Sequence, residues 1–407
     1  MKIAGVPGEP ITVHEARSRV LAAARPLPPQ DVALERALGR VLAEEVASAE
    51  DLPPFDSSAM DGFAVAAGGP AELSVVGESR AGAPAGRELR PGEAIRISTG
   101  ALVPAGADAV VPVERATEAD GRVSVPAVEP GANVRRAGED VPAGRVVLGG
   151  GTELGPAEVA MLASLGRERV RCGARPRVSV VVTGDELVLP GEPLGPGQIR
   201  NSNEPALVAL AQSAGAEVVG DAWVGDDRPL TVEALGTALA EADVVCVSGG
   251  VSVGPHDHVR PALRELGVEE RFWGVALKPG KPTWFGTAGD RLLFGLPGNP
   301  VSAMVTFHLL ARPALLALAG ADPTVSRVRA RLDAPIRRNP RREQAVRCRL
   351  RSADDGFHVE PTGPQGSHQL SSMLGAGALA MIAPGGGTVE AGELVHVELL
   401  PRGTASP

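Results

Sequence analysis

Between Arg177 and Gly320 the chain repeats one pattern: a short apolar run, a loop, then an amphipathic stretch of helical length. VSVVVTG leads to NEPALVALAQSAG, AEVVG leads to PLTVEALGTALAEA, and DVVCVSGG leads on towards the long apolar stretch NPVSAMVTFHLLARPALLALAG. Parallel strands cannot be joined by tight turns and need crossover connections, so this alternation predicts βαβ units in a doubly wound parallel sheet covered on both faces. With 407 residues the chain exceeds what one such core serves, so further lobes are expected.

The flanking segments follow other rules. Apolar residues at helical spacing from Thr12 to Ala24, closed by Arg25 and Pro26, predict a first helix. ALGRVLAEEV predicts a second, from about Asp31 to Ala47. Beyond the turn-rich DLPPFDSSAMDGFAV, the runs LSVVGES, EAIRIS, DAVVPVE and RVSVPAV predict a small all-β lobe ending near Gly144. Residues Pro156 to Leu165 return to a helical pattern, and from about Val328 the runs RVRARL, AVRCRLR and LVHVELL predict a compact β lobe. The expected fold class is therefore multidomain α/β plus β. Segments 1–26 and 145–177 form a helical hinge, 27–144 a β-rich domain, 178–325 the α/β domain, and 328–407 a β-barrel-like C-terminal domain.

In an open parallel sheet, ligands bind where loop amides and helix N-termini converge beyond the strand ends. Three glycine-bearing loops are expected there: VVTGDEL with Thr183 and Gly184, VSGGVSVG with Ser248, Gly249, Gly250, Ser252 and Gly254, and GLPGNPVSA with Pro297, Gly298, Asn299, Pro300 and Ser302. Asn299 suits a helix N-cap and Pro300 a first helical residue, which leaves amides free for an anion. The Gly-Lys-Ser/Thr ending of a P-loop is absent. Of the three lysines in the chain, against 37 arginines, Lys278 and Lys281 sit together in KPGKP. Compact ammonium groups there suit a small oxyanion or phosphate. Acids fall at the same end of the sheet. Glu186, Asp226 and Asp257 suit a divalent ion held jointly with phosphate oxygens, whereas Asp185 and Asp227 read as helix caps. His256 and His258, two apart, point away from each other and do not read as a zinc pair.

A net charge of -9 argues against a nucleic-acid binder. Cys172, Cys246 and Cys348 are widely separated and show no metal spacing, so they read as structural thiols in a reducing compartment. Without an apolar leader or a long uninterrupted apolar run, no membrane role and a cytoplasmic location are expected.

TGDEL, SGGVSVG followed by Asp257, KPGKP and GLPGNPVSA, in this order, resemble the MoeA family, the molybdopterin molybdenumtransferases that include the E domain of gephyrin. PPFDSSAMDGFAV, STGALVPAGADAVV, GANVRRAGED and GSHQLSSM resemble the same family, so the likeness spans nearly the whole chain. It implies a homodimer whose helical region carries the dimer contact and whose β-rich domain closes the partner's site. The implied reaction joins molybdate to adenylylated molybdopterin with Mg²⁺, cleaves the pyrophosphate link, and yields molybdenum cofactor and AMP. Implied partners are a MogA-type adenylyltransferase and molybdoenzyme apoproteins. By resemblance, Asp61, Thr99 and Asp140 join Glu186, Asp226, Asp257, Lys278 and Lys281 as reacting groups. Arg135, Arg341 and Ser371 join the loop residues as binding groups. The chain departs from the family pattern at Ser57 and Phe63, at Gly375 to Gly377, and in REQAVR. A molybdopterin adenylyltransferase and a gephyrin-like scaffold are the competing readings.

Overall fold

The computed structural model describes residues 9–250, 257–324 and 327–401, which form two compact units. One consists of Val32–Leu38 and Glu44–Val170. The other takes the described residues of Met1–Asp31, Gly39–Ala43 and Arg171–Pro407. Ser252, Gly254 and His256 lie outside the described residues.

The first helix, α1 (Val13–Ala23), begins where the pattern places it, with Thr12 Oγ1 accepting from the Glu15 amide at 3.1 Å. The second expected helix does not form. Leu34–Arg36 makes a single 3₁₀ turn, and the chain reverses at Gly39, whose φ of +70° belongs to the left-handed region. Val41, Leu42 and Val46 are buried from extended backbone, so the apparent helical period of ALGRVLAEEV is accidental.

The smaller unit is built on six strands: β1 (Gly62–Val65), β2 (Ala71–Ser79), β3 (Glu93–Ile97), β4 (Ala109–Pro112), β5 (Thr117–Ala119) and β6 (Arg122–Val125), in the order β4-β1-β3-β2-β6-β5. Phe63, Val65, Ala94, Val111 and Val123 fill its core. Helix α2 (Pro156–Ser164) follows, with the Glu158 carboxylate accepting from the Gly155 amide at 3.0 Å.

In the larger unit, strands β7 (Arg177–Thr183), β8 (Glu217–Val224), β9 (Val244–Ser248) and β10 (Glu269–Trp273) alternate with helices α3 (Asn203–Ser213), α4 (Arg228–Glu241) and α5 (Val259–Glu265). A two-residue strand, β11 (Leu277–Lys278), then precedes β12 (Trp284–Ala288), β13 (Arg291–Leu296) and the long helix α6 (Pro300–Leu318). The sheet runs β8-β7-β9-β13-β12-β10. Val180 and Val182 of β7 pack with α3 and α6, while Val181 packs with α4 and α5, so both faces are covered as expected. The sheet is mixed rather than wholly parallel. β12 and β13 are joined through Gly289 and Asp290, and so short a connection forces an antiparallel pair. Helix α6 has the length and apolar character of a membrane span, but 78% of it is buried inside the unit, and it serves as a core helix.

The C-terminal strands are β14 (Arg327–Leu332), β15 (Glu343–Ala353), β16 (Gly356–Pro361), β17 (Ala378–Ile382) and β18 (Leu394–Leu399). They close into a five-stranded barrel because the long β15 pairs with both β16 and β17. The barrel is tied to the rest of its unit by β11, which pairs parallel with β15, and by the fully buried Glu398. Glu398 receives Arg17 at 2.9 Å and Arg327 at 2.7 Å.

Candidate active site

The order of the α/β sheet reverses at β7, whose chain-order successor β8 lies on one side and β9 on the other. Ligand crevices open beyond the strand ends at such a point. Here a cavity of about 780 Å³ opens between the three glycine-bearing loops. Thr183, Gly184 and Glu186 reach it from β7, Ser248, Gly249 and Gly250 from β9, and Pro297 to Pro300 from the turn into α6. Asp226 and Asp257 complete its acidic lining. Gly249, at φ +91°, cannot be replaced without strain, because a Cβ there would meet the Thr183 carbonyl oxygen at 2.6 Å.

The unmet polar groups are concentrated here. Among the described residues the hydroxyl of Thr183 and both carboxylate oxygens of Asp257 are buried without a side-chain hydrogen-bond partner, and Asp257 meets only the backbone amides of Val259 and Arg260. Burial pushes the Asp257 carboxyl up to about 6, and the nearby amide and charge of Arg260, the Val259 amide and the His258 charge only partly offset that rise. Native proteins rarely leave buried polar atoms unpaired, and the exceptions call for a ligand or ion.

Asp227 caps α4, its carboxylate accepting from the Leu230 amide at 2.9 Å. Asp185 caps no helix, contrary to expectation. Its Oδ1 accepts from the Asp226 amide at 2.8 Å and holds that acid at the rim. Asn299 occupies the N-cap position of α6 but makes no side-chain cap, because its Nδ2 donates to Ser367 Oγ at 3.1 Å. Ser302 is buried one turn into α6 and does not line the crevice.

The lysines of KPGKP are not among the residues lining this crevice. Pairing of β11 with β15 carries Lys278 to a separate cavity of about 310 Å³, shared with Arg337 and Arg347. Lys281 lines another, of about 730 Å³, with Arg341 and Arg342. In the smaller unit, Asp61 Oδ1 accepts from the Thr99 amide at 2.7 Å and from the Thr99 hydroxyl at 3.2 Å. Arg135 and Asp140 are exposed in the same unit.

Family models match the chain in three consecutive blocks. The MoeA N-terminal region (domain I and II) covers residues 11–166, a probable molybdopterin binding domain covers 179–317, and the MoeA C-terminal region (domain IV) covers 329–400. The molybdopterin molybdenumtransferase of Haemophilus influenzae is 37% identical, covering 95% of this chain and 98% of its own. That of Bacillus subtilis is 35% identical over 96% and 94%. The crystal structure of a molybdopterin biosynthesis MoeA protein from Pyrococcus horikoshii superposes with a TM-score of 0.81 at 31% identity, covering 96% of this chain and all of that one. The chain belongs to the MoeA family. It is an enzyme of molybdenum cofactor biosynthesis.

For a MoeA-family chain, the crevice lies almost wholly in the block matched as a molybdopterin binding domain. His368 and Leu370 are the exceptions, and they enter from the C-terminal block. Both lie within GSHQLSSM, of which Ser371 alone was expected in the site, and neither Asn203 nor Arg347 was expected there. Asn203 Nδ2 donates to Ser248 Oγ at 2.8 Å and to the Gly298 carbonyl at 2.7 Å, which fixes two of the glycine loops to each other. Arg347 is buried at 1% exposure, and its guanidinium donates to Ser372 Oγ at 2.9 Å and to the Gly366 carbonyl at 3.2 Å. It thereby holds the turn that presents His368, with Ser371 left exposed beside it. The signal available for Asn203 was its place as the first helical residue facing the strand ends. No periodic signal marks a buried arginine.

Proposed function

We propose that this crevice binds adenylylated molybdopterin and that the enzyme joins it to molybdate, cleaving the pyrophosphate link to give molybdenum cofactor and AMP. The observation that carries the proposal is the convergence of unpartnered Asp257 and Thr183 atoms on a loop-lined cavity at the sheet's reversal point.

The donor set fits Mg²⁺ held jointly with the substrate. Among the described residues no three His, Cys, Asp or Glu side chains cluster tightly enough to enclose an ion by themselves. A buried carboxylate with no side-chain partner among the described residues supplies what Mg²⁺ ordinarily takes from a protein, one or two carboxylates beside phosphate oxygens. Asp257 would hold it, with Glu186 and Asp226 on the same lining. When bound, the ion neutralises phosphate charge and polarises the phosphoanhydride. Asn203 orients the Ser248 and Gly298 loops so that their backbone meets the ligand without a Cβ in the way.

Molybdate is assigned to the cavity of Lys278. The Arg347 guanidinium there has no carboxylate partner among the described hydrogen bonds, and although burial draws it down to about 10, it stays charged at neutral pH. Lys281 and Arg341 line a different cationic cavity, of about 730 Å³. In the same proposal the protein acts in the cytoplasm as a homodimer. Segments 1–26 and 145–177 form the hinge and dimer contact. Segment 27–144, with Asp61, Thr99, Arg135 and Asp140, closes the crevice of the other copy.

The test is AMP release from adenylylated molybdopterin by purified enzyme. Release that requires both molybdate and Mg²⁺ supports the assignment, and tight binding with no AMP under those conditions overturns it. Mixing an Asp61→Ala variant with an Asp257→Ala variant tests the shared site. Restored activity is expected if each copy completes the other.

A further inference from the structure

Strand β8 is the last strand of its sheet, with β7 on one side and no strand on the other among the described residues. Its pairing with β7 shifts register once, between Val178 and Ser179, so that residues 220–224 form the regular part of the edge. A groove of about 430 Å³ runs between this edge and α4. Small side chains open it: Gly220 and Ala222 face α4 across from Ser179 and Val181. Large apolar ones rim it: Trp223 is 43% exposed and Leu230 is 54% exposed.

The charges on the groove have one sign. Glu233 and Glu241 are exposed along it, Asp221 is exposed on the opposite face of β8, and no lysine or arginine lines the groove. Neither Glu233 nor Glu241 has an ion-pair partner among the described residues, while Asp221 shares a hydrogen bond with Glu204 of α3. The excess is felt nearby, since the Glu204 carboxyl is raised first by burial and next by Asp221.

We propose that this edge is a docking groove for a basic, extended segment of a partner protein, added as a strand along residues 220–224. Main-chain hydrogen bonds supply the register, and alternate apolar side chains of the segment enter the slot over Gly220 and Ala222. Its cations on the α4 side meet Glu233 and Glu241, and Asp221 adds negative charge on the other face of the strand, which steers the encounter. A purely defended edge carries charges against all comers and keeps large apolar groups away from it. Here the acids disfavour a second copy of this chain, which would bring the same negative charges to the edge, while Leu230 offers apolar contact to a partner of opposite charge. The groove also touches the crevice, because Trp223 Nε1 donates to the Gly184 carbonyl at 3.0 Å.

The probe is a short peptide alternating arginine with valine, with a peptide of glutamate and valine as control. Calorimetry on the full-length enzyme should show binding of the basic peptide only, weakening with added salt. Amide hydrogen exchange should slow within residues 220–224. The double variant E233K/E241K should weaken binding by about tenfold or more while leaving AMP release without peptide unchanged. Ala222→Arg, which fills the slot while also adding a positive charge, is the second variant should the first perturb α4. The proposal is overturned if both peptides bind equally, if the basic peptide binds without protecting residues 220–224, or if both variants bind it as the parent does. Self-association that needs the same edge and fails in E233K/E241K would also overturn it, by making a second copy the occupant.

Discussion

Asp257 and Asp61 are both acids drawn from recognisable motifs, and the structure treats them in opposite ways. Asp257 is partly buried, has no side-chain partner among the described residues, and is held with its carboxyl raised to about 6. Asp61 is exposed and already satisfied by the Thr99 amide and hydroxyl within its own unit. An acid that closes a turn contributes to the fold whether or not a ligand arrives. An unpaired, buried acid costs the fold free energy until something binds to it. Motif matching alone does not separate the two cases, whereas hydrogen-bond accounting does.

The largest expected effect follows from that contrast. Asp257→Asn keeps the shape and removes the charge, so AMP release should fall on the order of a thousandfold. Because the variant no longer buries an unpaired carboxylate, its melting temperature should rise by about a few degrees. Lost activity together with a lowered melting temperature would mean that Asp257 is a structural group.

His308 asks whether every unmet buried group marks a site. It sits in α6 and does not line the crevice, its Nε2 has no partner among the described residues, and burial draws its pKa from 6.5 down to about 4 despite the nearby Glu398 charge. Between those values the unfolded chain binds more protons than the folded one, so stability falls as pH drops from 6.5 towards 4. The loss at full titration is roughly 3 kcal/mol. His308→Gln should flatten this part of the stability profile measured by urea unfolding, with AMP release at neutral pH unchanged. An unaltered profile would mean that other groups carry the acid sensitivity.

The α/β lobe was legible because periodicity, loop glycines and strand length all pointed one way. The helix expected over ALGRVLAEEV failed because apolar spacing cannot report a reversal at Gly39 that also suits extended backbone. The separation of Lys278 from the acids was not legible. KPGKP fixes how far apart its lysines lie along the chain, but their directions are set by β11 joining the barrel at Glu343 and Gln344, a tertiary pairing. The barrel-like character of the C-terminal lobe was legible in its short strand runs, but its strand partners were not, since β15 shows one strand pattern whether it has one neighbour or two.

Arg347 lies between the two acids in kind: it is buried, yet its donors are used by Ser372 and Gly366. Arg347→Met should cost about 2 kcal/mol by stranding those acceptors. It should also raise the molybdate concentration needed for half-maximal AMP release. A loss of stability with unchanged molybdate dependence would leave it as a brace for the His368 turn and nothing more.

The smallest effect, and the one that closes the comparison, is at Asp61. The Thr99 amide donates to a carboxylate, and a hydrogen bond to a charged acceptor is stronger than one to a neutral amide oxygen. Asp61→Asn keeps an acceptor of the same size in place, so the turn should survive with a loss of about 1 kcal/mol, and the melting temperature should move down where Asp257→Asn moves it up. The signs matter more than the sizes, because both variants remove one negative charge from a protein of net charge -9 and so relieve the same general repulsion. A rise at both positions would trace the effect to net charge, and the distinction between an acid that serves the fold and one that waits for a ligand would then have to be drawn from activity alone.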